Sequence, residues 1–463
     1  MDSILIRSGD VVTAEGRRKA DLRISQGIIQ QIAPTVTPTV DDEVIDASGL
    51  LVLPGIIDAH THFSLENSTM QTLDDFAAGS RSAAAGGVTT YINFAPQAKG
   101  ESLVSAFERE LRRAQGNSLV DFSLHLSFGT PGPNWREELR QVAALGVTSM
   151  KIYTTYRDTI YYTRDYDWHQ LMQLSGEEGI LVQVHAENDD ILKGCAKELL
   201  DAGRTSFRYH AVSRPEIAEV EAVARGIAFC RATGSPIYFV HLSSPDSVEL
   251  VDRARNEGLP VFGEVCAHHI SLDDRAYVTE DAPRFVMTPP LRPRDRVATL
   301  LQLVASGKVQ AIGSDHCGYT LLQRGSDLDF TQASPGVPGV ETLWPVVFTT
   351  LVASNAMDLV AAVNLVTRGP AEIFGLAPRK GLLAVGADGD VVLYDPKPRT
   401  VLDESRLHSR AGYSPWHGQE MQGRVVRTIS RGDTVYLNGE FFGELSRGRF
   451  VPQTTFDRQR LGV

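Results

Sequence analysis

The chain has 463 residues, of which 42% are hydrophobic and 22% charged, and a formal charge of −12. The hydrophobic and charged fractions exclude a wholly disordered or fibrous protein, and the length predicts at most about three globular domains. Its excess of acid is opposite to what a binder of nucleic-acid phosphates needs, so we expect no nucleic-acid partner. Four scattered cysteines, no signal-like opening and apolar runs far below the ~20 residues of a membrane helix predict a cytoplasmic protein without a membrane partner.

The two ends of the chain share one texture, in which short apolar runs are separated by turn residues. Near the N-terminus these runs predict β-strands at residues 3–6, 11–12, 22–24 and 28–32. Near the C-terminus they predict strands at residues 391–394, 424–430 and 434–437. We therefore predict one β-sandwich domain from residues 1–52 together with residues 380–440, followed by a tail over residues 441–463.

The middle of the chain, residues 53–379, alternates apolar runs with stretches of helical period, such as residues 103–114 and 215–232. The candidate strands are residues 51–59, 88–94, 119–128, 147–153, 180–184, 237–240, 260–266 and 309–313. Eight strands separated by helices predict a parallel (β/α)₈ barrel. The strand at residues 119–128 could also pair elsewhere. A doubly wound open sheet is the main alternative, but no glycine-rich phosphate fingerprint follows a strand.

Side chains suited to metal binding stand at several predicted strand ends. His60 and His62 follow the first strand and, being two residues apart in extended chain, face the same side. His185 ends the fifth strand, His241 the sixth and Asp315 the eighth. Because the strands of a parallel barrel end at one mouth, these groups converge. Imidazole and carboxylate together suit Zn²⁺ and related divalent ions.

Five such groups exceed the needs of one ion, and two ions roughly 3.5 to 4 Å apart need a bridging anion. The fourth strand supplies only Lys151, which could bridge two cations only if it were deprotonated and modified, for example by CO₂ to a carbamate. Taken singly, each residue has an ordinary structural interpretation, such as a packed histidine, an ion-paired lysine or a loop cap. Further histidines near strand ends, interpreted as core or supporting residues, are His125, His268, His269 and His316.

Specific strings then indicate a family. Residues 54–63 read PGIIDAHTHF and, with Lys151, His185, His241 and Asp315 in that order, resemble the amidohydrolase superfamily over nearly the whole chain. Within this superfamily, five further strings resemble the cyclic-amidase branch of hydantoinases and dihydropyrimidinases. They are GVTTYINF (87–94), VHAEN (184–188), HLSSP (241–245), TPPLR (288–292) and GSDHC (313–317).

The resemblance implies an enzyme that opens a hydantoin or dihydropyrimidine ring, a small cyclic amide, to an N-carbamoyl amino acid. It implies two divalent ions, most simply Zn²⁺, with hydroxide and a CO₂-derived carbamate on Lys151 bridging them. The implied protein ligands are His60, His62 and Asp315 on one ion and His185 and His241 on the other. Asp315 would take a proton from the bridging water and return it to the leaving nitrogen. Relatives also imply a homo-oligomer, a tetramer or a dimer.

The resemblance extends to substrate-binding residues. Tyr156 matches a tyrosine that donates to the developing oxyanion, and Thr288 replaces a serine whose main chain contacts the ring. Phe63 begins one of two loops, residues 63–71 and 153–165, that we expect to select the ring substituent. Aromatic residues of the second loop predict an apolar pocket or simple loop packing; they are Tyr153, Tyr156, Tyr161 and Tyr162.

Some departures affect the expected substrate. Within residues 334–339, Pro335 and Pro338 stand at the positions where the resemblance leads us to expect an asparagine, and proline has no backbone donor. Ser64 stands where a dihydroorotase-like enzyme would carry an arginine, and Tyr156 disfavours allantoinase. A non-catalytic scaffold is the alternative of another class, but all six ligand positions are intact.

Overall fold

The computed structural model describes residues 3–66, 71–129, 132–325 and 328–458. The N-terminal segment forms five strands: β1 (Ser3–Thr13), β2 (Gly16–Ser25), β3 (Ile28–Ala33), β4 (Asp42–Asp46) and β5 (Leu51–Pro54). The predicted strands at residues 3–6 and 11–12 are one continuous strand, β1. The sequence analysis did not predict β4, because this acidic, partly exposed strand has no apolar run.

Eight parallel strands then form the barrel: β6 (Ile56–Thr61), β7 (Val88–Pro96), β8 (Asp121–Ser127), β9 (Ser149–Tyr153), β10 (Leu181–His185), β11 (Ile237–Phe239), β12 (Val261–Cys266) and β13 (Ala311–Gly313). Each pairs with its neighbour in chain order. Thr61 at the end of β6 also pairs with His316 beyond β13, so the sheet nearly closes. The predicted barrel is confirmed, the open sheet is wrong, and β8 pairs within the barrel between β7 and β9.

The predicted first barrel strand, residues 51–59, is in fact two strands. β5 pairs with β1, outside the barrel, whereas β6 pairs with β7. The chain crosses between the two sheets at Gly55, where an added Cβ would lie 2.0 Å from Thr89 Oγ1 and 2.8 Å from Asp390 Cβ. Because the whole run is apolar and buried, its periodicity gives no sign of the break.

Helices connect the barrel strands and follow the last one. They are α1 (Phe76–Ala85), α2 (Leu103–Ala114), α3 (Trp135–Ala144), α4 (Asp165–Glu178), α5 (Asp189–Asp201), α6 (His210–Ser213), α7 (Glu216–Thr233), α8 (Pro245–Asn256), α9 (Ala267–Ser271), α10 (Arg294–Ala305), α11 (Leu321–Arg324), α12 (Leu343–Val347), α13 (Leu359–Asn364) and α14 (Arg368–Ile373). The helix predicted at residues 103–114 is confirmed as α2, and that at 215–232 is α7. Within the described ranges, no helix has both the length and the apolar character needed to cross a lipid bilayer.

The chain returns to the first sheet through β14 (Val391–Val401), β15 (Glu420–Ser430), β16 (Asp433–Leu437) and β17 (Glu440–Phe441). The strand order is β17-β16-β15-β14-β5-β1-β2-β3, with β4 paired to β1. β1 is parallel to β4 and β5, and the other pairings are antiparallel. The prediction that both ends build one β-domain is confirmed, while its exact boundaries at residues 52, 380 and 440 stay a prediction.

The described part of the C-terminal tail lies across the end of the barrel where the strands begin. Phe450 pairs with Phe122 at the start of β8, and Gln453 accepts a hydrogen bond of 2.9 Å from the backbone N–H of Thr148, just before β9. Inside the barrel, the ring of Phe374 lies 4.7 Å from the ring of His125. These contacts fill one end of the barrel and leave the opposite end as its mouth.

A buried ion network joins the barrel to the terminal domain. Lys380 Nζ lies 2.6 Å from Asp121 at the start of β8, 2.9 Å from Asp388 and 2.7 Å from Asp390. Arg431, just beyond β15, lies 2.9 Å from the same Asp121 carboxylate. Buried charges of this kind are stable only while each has a partner.

Lys380→Met is therefore expected to lower the free energy of unfolding by about 3–5 kcal/mol, because buried carboxylates would lose their counter-ion. The matched control, Lys308→Met, removes a partly exposed lysine that lies 3.2 Å from Asp252 and should cost at most about 1 kcal/mol. Urea unfolding followed by circular dichroism measures both. Equal shifts in the two variants would contradict a structural role for the network.

Candidate metal centre and active site

The six predicted metal ligands all lie at the mouth, where the barrel strands end. They are His60 and His62 at β6, Lys151 on β9, His185 at the end of β10, His241 beyond β11 and Asp315 beyond β13. The parallel arrangement explains this, since every strand of such a barrel runs toward the same end. Residues up to 255 positions apart in the chain, from His60 to Asp315, thus become neighbours.

Three predicted site residues have an unusual backbone conformation. His241, Asp315 and Tyr156 adopt positive φ angles of 39°, 49° and 66°. Few non-glycine residues do so, and such strain concentrates at functional sites. Here the chain turns sharply just after β9, β11 and β13, at the mouth itself.

Short distances connect the predicted ligands. Asp315 Oδ1 lies 3.1 Å from His60 Nε2 and 3.2 Å from His62 Nε2. One ligand atom each of His60, His241 and Asp315 lie within 4.8 Å of one another. The ring of His185 lies 4.5 Å from that of His241, measured between centroids. The structure therefore brings the four histidines and the aspartate together, as predicted from the chain.

Lys151 belongs to the same group. Its Nζ lies 4.6 Å from the centre of the Phe94 ring, and that ring contacts His60 and His62 at centroid distances of 4.8 and 5.0 Å. Burial lowers the pKa of Lys151 to about 8. A lysine with a depressed pKa carries an appreciable neutral fraction near neutral pH, and the neutral amine is the form that can react with CO₂.

The donor set fits divalent metal ions. His62 Nδ1 is buried without a hydrogen-bond partner, which is rare for a buried polar atom. Burial lowers the pKa of His62 to about 4 and also lowers the pKa values of His185 and His241. Neutral imidazoles and a carboxylate are the ligand forms that zinc and related ions bind.

Glu264 is a supporting residue to which the sequence analysis assigned no role. Glu264 Oε1 accepts from His60 Nδ1 at 2.6 Å and from the backbone N–H of His241 at 3.1 Å, while Tyr238 donates to Oε2 at 3.0 Å. Burial alone would lower the pKa of His60, but the charges of Asp315 and Glu264 raise this pKa to about 9. A carboxylate inside the apolar strand β12 was a usable signal, since such a residue needs a buried partner.

Glu264→Gln is expected to weaken metal binding by about 10- to 100-fold, because a neutral amide fixes the His60 imidazole less firmly than a carboxylate does. Competition with a chromophoric chelator measures the change. The control Glu110→Gln alters another buried glutamate, which pairs with Arg109 and Arg113 on the outer helix α2, and should leave metal affinity unchanged. Wild-type affinity in Glu264→Gln would argue against this role.

Two further carboxylates support the site. Glu187 accepts from His185 Nε2 at 2.7 Å and also pairs with Arg214. Asp58 accepts from the backbone N–H of Ser314 at 3.1 Å, connecting β6 to the segment that carries the aspartate. Both residues lie two positions from a predicted ligand, so their proximity to it was visible in the sequence. The direction in which each side chain points was not.

The predicted substrate residues divide into two groups. Tyr156 Oη and Thr288 Oγ1 lie 2.9 Å apart, and the Tyr156 ring is 5.4 Å from the ring of His185, so these two residues meet beside the predicted ligands. Phe63 is only 1% exposed and packs its ring against Tyr91. This packing explains why an aromatic side chain stands at residue 63 without invoking a contact with substrate.

The predicted substrate loops are partly described. In the second loop the Tyr153 ring lies 6.0 Å from Tyr156 and 5.7 Å from Tyr161, so the tyrosines form one cluster. Residues 67–70 of the first predicted loop lie outside the described residues. The proline-containing segment is attached beside the candidate site, since Val337 O accepts from the backbone N–H of Cys317 at 3.0 Å.

The fold and the site together define an amidohydrolase-type barrel enzyme. The barrel is parallel and carries His-x-His on its first strand, with a lysine, two histidines and an aspartate at later strand ends. The amidohydrolase family model matches residues 51–435, and the chain belongs to this family. It is 38% identical to a D-phenylhydantoinase of Escherichia coli O1:K1 / APEC over 459 residues, 98% of each chain.

Solved structures agree with this assignment. A dihydropyrimidinase from Brevibacillus agri NCHU1002 has a TM-score of 0.96 and 34% identity, covering 98% of this chain and 100% of that one. A D-hydantoinase from Bacillus sp. AR9 has a TM-score of 0.95 and 35% identity, with the same coverage. The predicted resemblance to the hydantoinase and dihydropyrimidinase branch is confirmed, and with it the class of cyclic amide hydrolases.

Proposed function

We propose that the chain opens a hydantoin or dihydropyrimidine ring to an N-carbamoyl amino acid, with Asp315 as general base and acid. The observation that carries the proposal is the position of Asp315, whose carboxylate lies within 3.2 Å of the imidazoles of His60 and His62 at the mouth. The residues that would hold two divalent ions, taken as Zn²⁺, are His60, His62, carbamylated Lys151, His185, His241 and Asp315. When bound, such ions lower the pKa of a water molecule and polarise the ring carbonyl.

Asp315 is suited to the proton transfers. Burial by itself would raise the pKa of Asp315. The charge of His60 and the contacts with His60 and His62 nevertheless hold this pKa well below its ordinary value. The ionised carboxylate can accept the proton of the water whose oxygen attacks the ring carbonyl. As the ring C–N bond breaks, the same proton passes to the leaving nitrogen. The product then carries a new carboxylate and a free carbamoyl amide.

Lys151 would supply the bridging anion by carbamate formation. The ammonium first loses one proton to solvent. The neutral amine then forms a bond to the carbon of CO₂ and releases a second proton, so that a cation becomes a bidentate anion. Burial supports this step because it disfavours the ammonium form. The surrounding aromatic rings of Phe94 and Tyr153 leave the nitrogen in a dry environment.

Tyr156 is proposed to donate its hydroxyl proton in a hydrogen bond to the carbonyl oxygen as negative charge develops there. Burial raises the pKa of Tyr156, so the hydroxyl remains protonated at neutral pH. Tyr156→Phe is expected to lower kcat by about 10²-fold or more with a small change in KM, because this contact strengthens only in the transition state. The control Tyr166→Phe alters an exposed tyrosine. Equal kcat values for the two variants would remove Tyr156 from the proposal.

A substrate panel tests the proposal directly. The metal-loaded protein is assayed with hydantoin, 5-monosubstituted hydantoins, dihydrouracil, allantoin and dihydroorotate, and then again after chelation. We expect turnover of hydantoins or dihydrouracil that is lost with the metal and restored by Zn²⁺. The tyrosine cluster and the D-phenylhydantoinase relative favour an aromatic 5-substituent. A folded, metal-replete protein that opens none of these rings would support a non-catalytic scaffold instead, and turnover of allantoin alone would support allantoinase.

We also propose that the protein forms a homo-oligomer, a dimer or a tetramer, as in the relatives implied by the resemblance. Sedimentation equilibrium of the full chain measures the state. A monomer at the concentrations used for the assay would contradict this part of the proposal without affecting the hydrolysis.

A further inference from the structure

A second cluster of metal-binding side chains lies beside the candidate centre. One ligand atom each of Cys266, His268 and His269 lie within 4.8 Å of one another, and all three residues are buried. Cys266 ends β12, and the two histidines are the second and third residues of the short helix α9 (Ala267–Ser271) that follows it. None of these residues is among the six predicted ligands.

The imidazole nitrogens of this cluster lack partners. Both ring nitrogens of His268 are buried without a hydrogen bond, and so is Nδ1 of His269. His269 Nε2 lies 3.1 Å from the carbonyl oxygen of Pro289, which leaves only its second nitrogen free for another ligand. An ordinary core histidine satisfies at least one nitrogen with a hydrogen bond, whereas His268 satisfies none. Each of the two imidazoles can therefore offer one lone-pair nitrogen to a cation.

The chemistry of the cluster selects the kind of ion. One thiol and two imidazoles match the sulfur and nitrogen donors of zinc sites, whereas magnesium and calcium prefer oxygen. Three protein ligands also leave one position open for water. We propose that Cys266, His268 and His269 form a separate, thiolate-containing site for a borderline-soft divalent cation such as Zn²⁺ or Co²⁺.

Binding balances as follows. The Cys266 S–H bond breaks, its proton passes to solvent and the sulfur forms a bond to the cation, while each imidazole contributes a lone pair. The three side chains are otherwise neutral, so the occupied site gains one positive charge. Cys266 pairs with Gly313 in the sheet, two residues before Asp315. The extra charge would therefore lie near the catalytic mouth.

The sulfur ligand makes this site visible separately from the first one. The six ligands of the proposed catalytic centre contain no sulfur, so a thiolate-to-cobalt charge-transfer band in the near ultraviolet reports only a cysteine-containing site. The holoenzyme is titrated with Co²⁺ while absorbance and bound metal are measured. We expect the band to appear together with a third bound ion per chain.

Variants assign the band to its ligands. Cys266→Ser should abolish it, and the control Cys230→Ser, which alters a buried thiol in the outer helix α7, should leave it unchanged. His268→Gln keeps the thiol but should weaken Co²⁺ binding by about tenfold or more. This second variant preserves the test if Cys266→Ser fails to fold.

The outcomes separate this inference from the proposed function. No band at saturating Co²⁺, a band that persists in Cys266→Ser, or unchanged affinity in His268→Gln would each overturn the site. Ring opening by the same preparation would show that the catalytic proposal stands without it. A normal band in a protein that opens no ring would contradict only the catalytic proposal.

Discussion

Asp315→Asn is expected to lower kcat for ring opening by about 10²- to 10⁴-fold, the range lost when a positioned general base or acid is removed. Asparagine keeps the size of the side chain and one oxygen near His60 and His62, but it cannot accept the proton of the attacking water. The reaction then loses both proton transfers assigned to this residue. KM should change little, because the substrate contacts proposed for Tyr156 and Thr288 remain.

The measurement combines steady-state kinetics with circular dichroism and metal analysis of the same sample. Normal ellipticity and metal content together with the loss of kcat would separate proton transfer from folding and from metal binding. The control Asp201→Asn changes an exposed aspartate that pairs with Lys197 at the end of α5 and should keep the wild-type rate. A kcat within tenfold of wild type in Asp315→Asn would remove this residue as the base.

Lys151→Ala is expected to reduce bound metal from about two ions per chain to fewer than one, because two cations close together need an anion between them. Activity should fall with the metal, below the level of Asp315→Asn. Lys151→Arg is the matched control for size and charge, since arginine stays protonated and cannot form the carbamate. It should lose metal as alanine does.

Elemental mass spectrometry measures the metal bound by each variant. The mass of the intact chain reports whether CO₂ has been added to it. Near-normal metal content in both variants would contradict a bridging role for Lys151. Loss of metal in Lys151→Ala but not in Lys151→Arg would indicate that the side chain acts by filling space rather than by its carbamate.

The lowered pKa of Lys151 also predicts a pH dependence for assembly. Burial brings this pKa to about 8, and only the neutral amine reacts with CO₂, so the reactive fraction is large above that pH and falls below it. At fixed dissolved CO₂, metal uptake by the stripped enzyme should slow by about tenfold for each pH unit well below 8. Uptake that is independent of pH between 6 and roughly 8 would contradict carbamate formation at an amine with this pKa.

The candidate metal-binding residues of this protein were visible in the sequence. Predicting the shared direction of His60 and His62, and the candidate ligands at the ends of later strands, required only the two-residue period of extended chain and the polarity of a parallel barrel. Helix α2 also agreed with its prediction, because its apolar period and capping residues are local properties.

Other features depend on contacts between distant segments. The break at Gly55 follows from the approach of Thr89 and Asp390, and no pattern within residues 51–59 contains that information. Phe63 was predicted to be a substrate-binding residue from its place after the His-x-His string, and in the structure its ring is buried in the core.

By itself the sequence determined the donor types, their order and the barrel that would gather them, because periodicity and strand polarity are carried by neighbouring residues. Only the tertiary structure decided which carboxylate supports which imidazole, and that Cys266 meets His268 and His269 without hydrogen-bond partners for His268. The physical reason is that the direction of a side chain at a strand end depends on local turns, such as those at His241 and Asp315, and on the closure of the sheet around them.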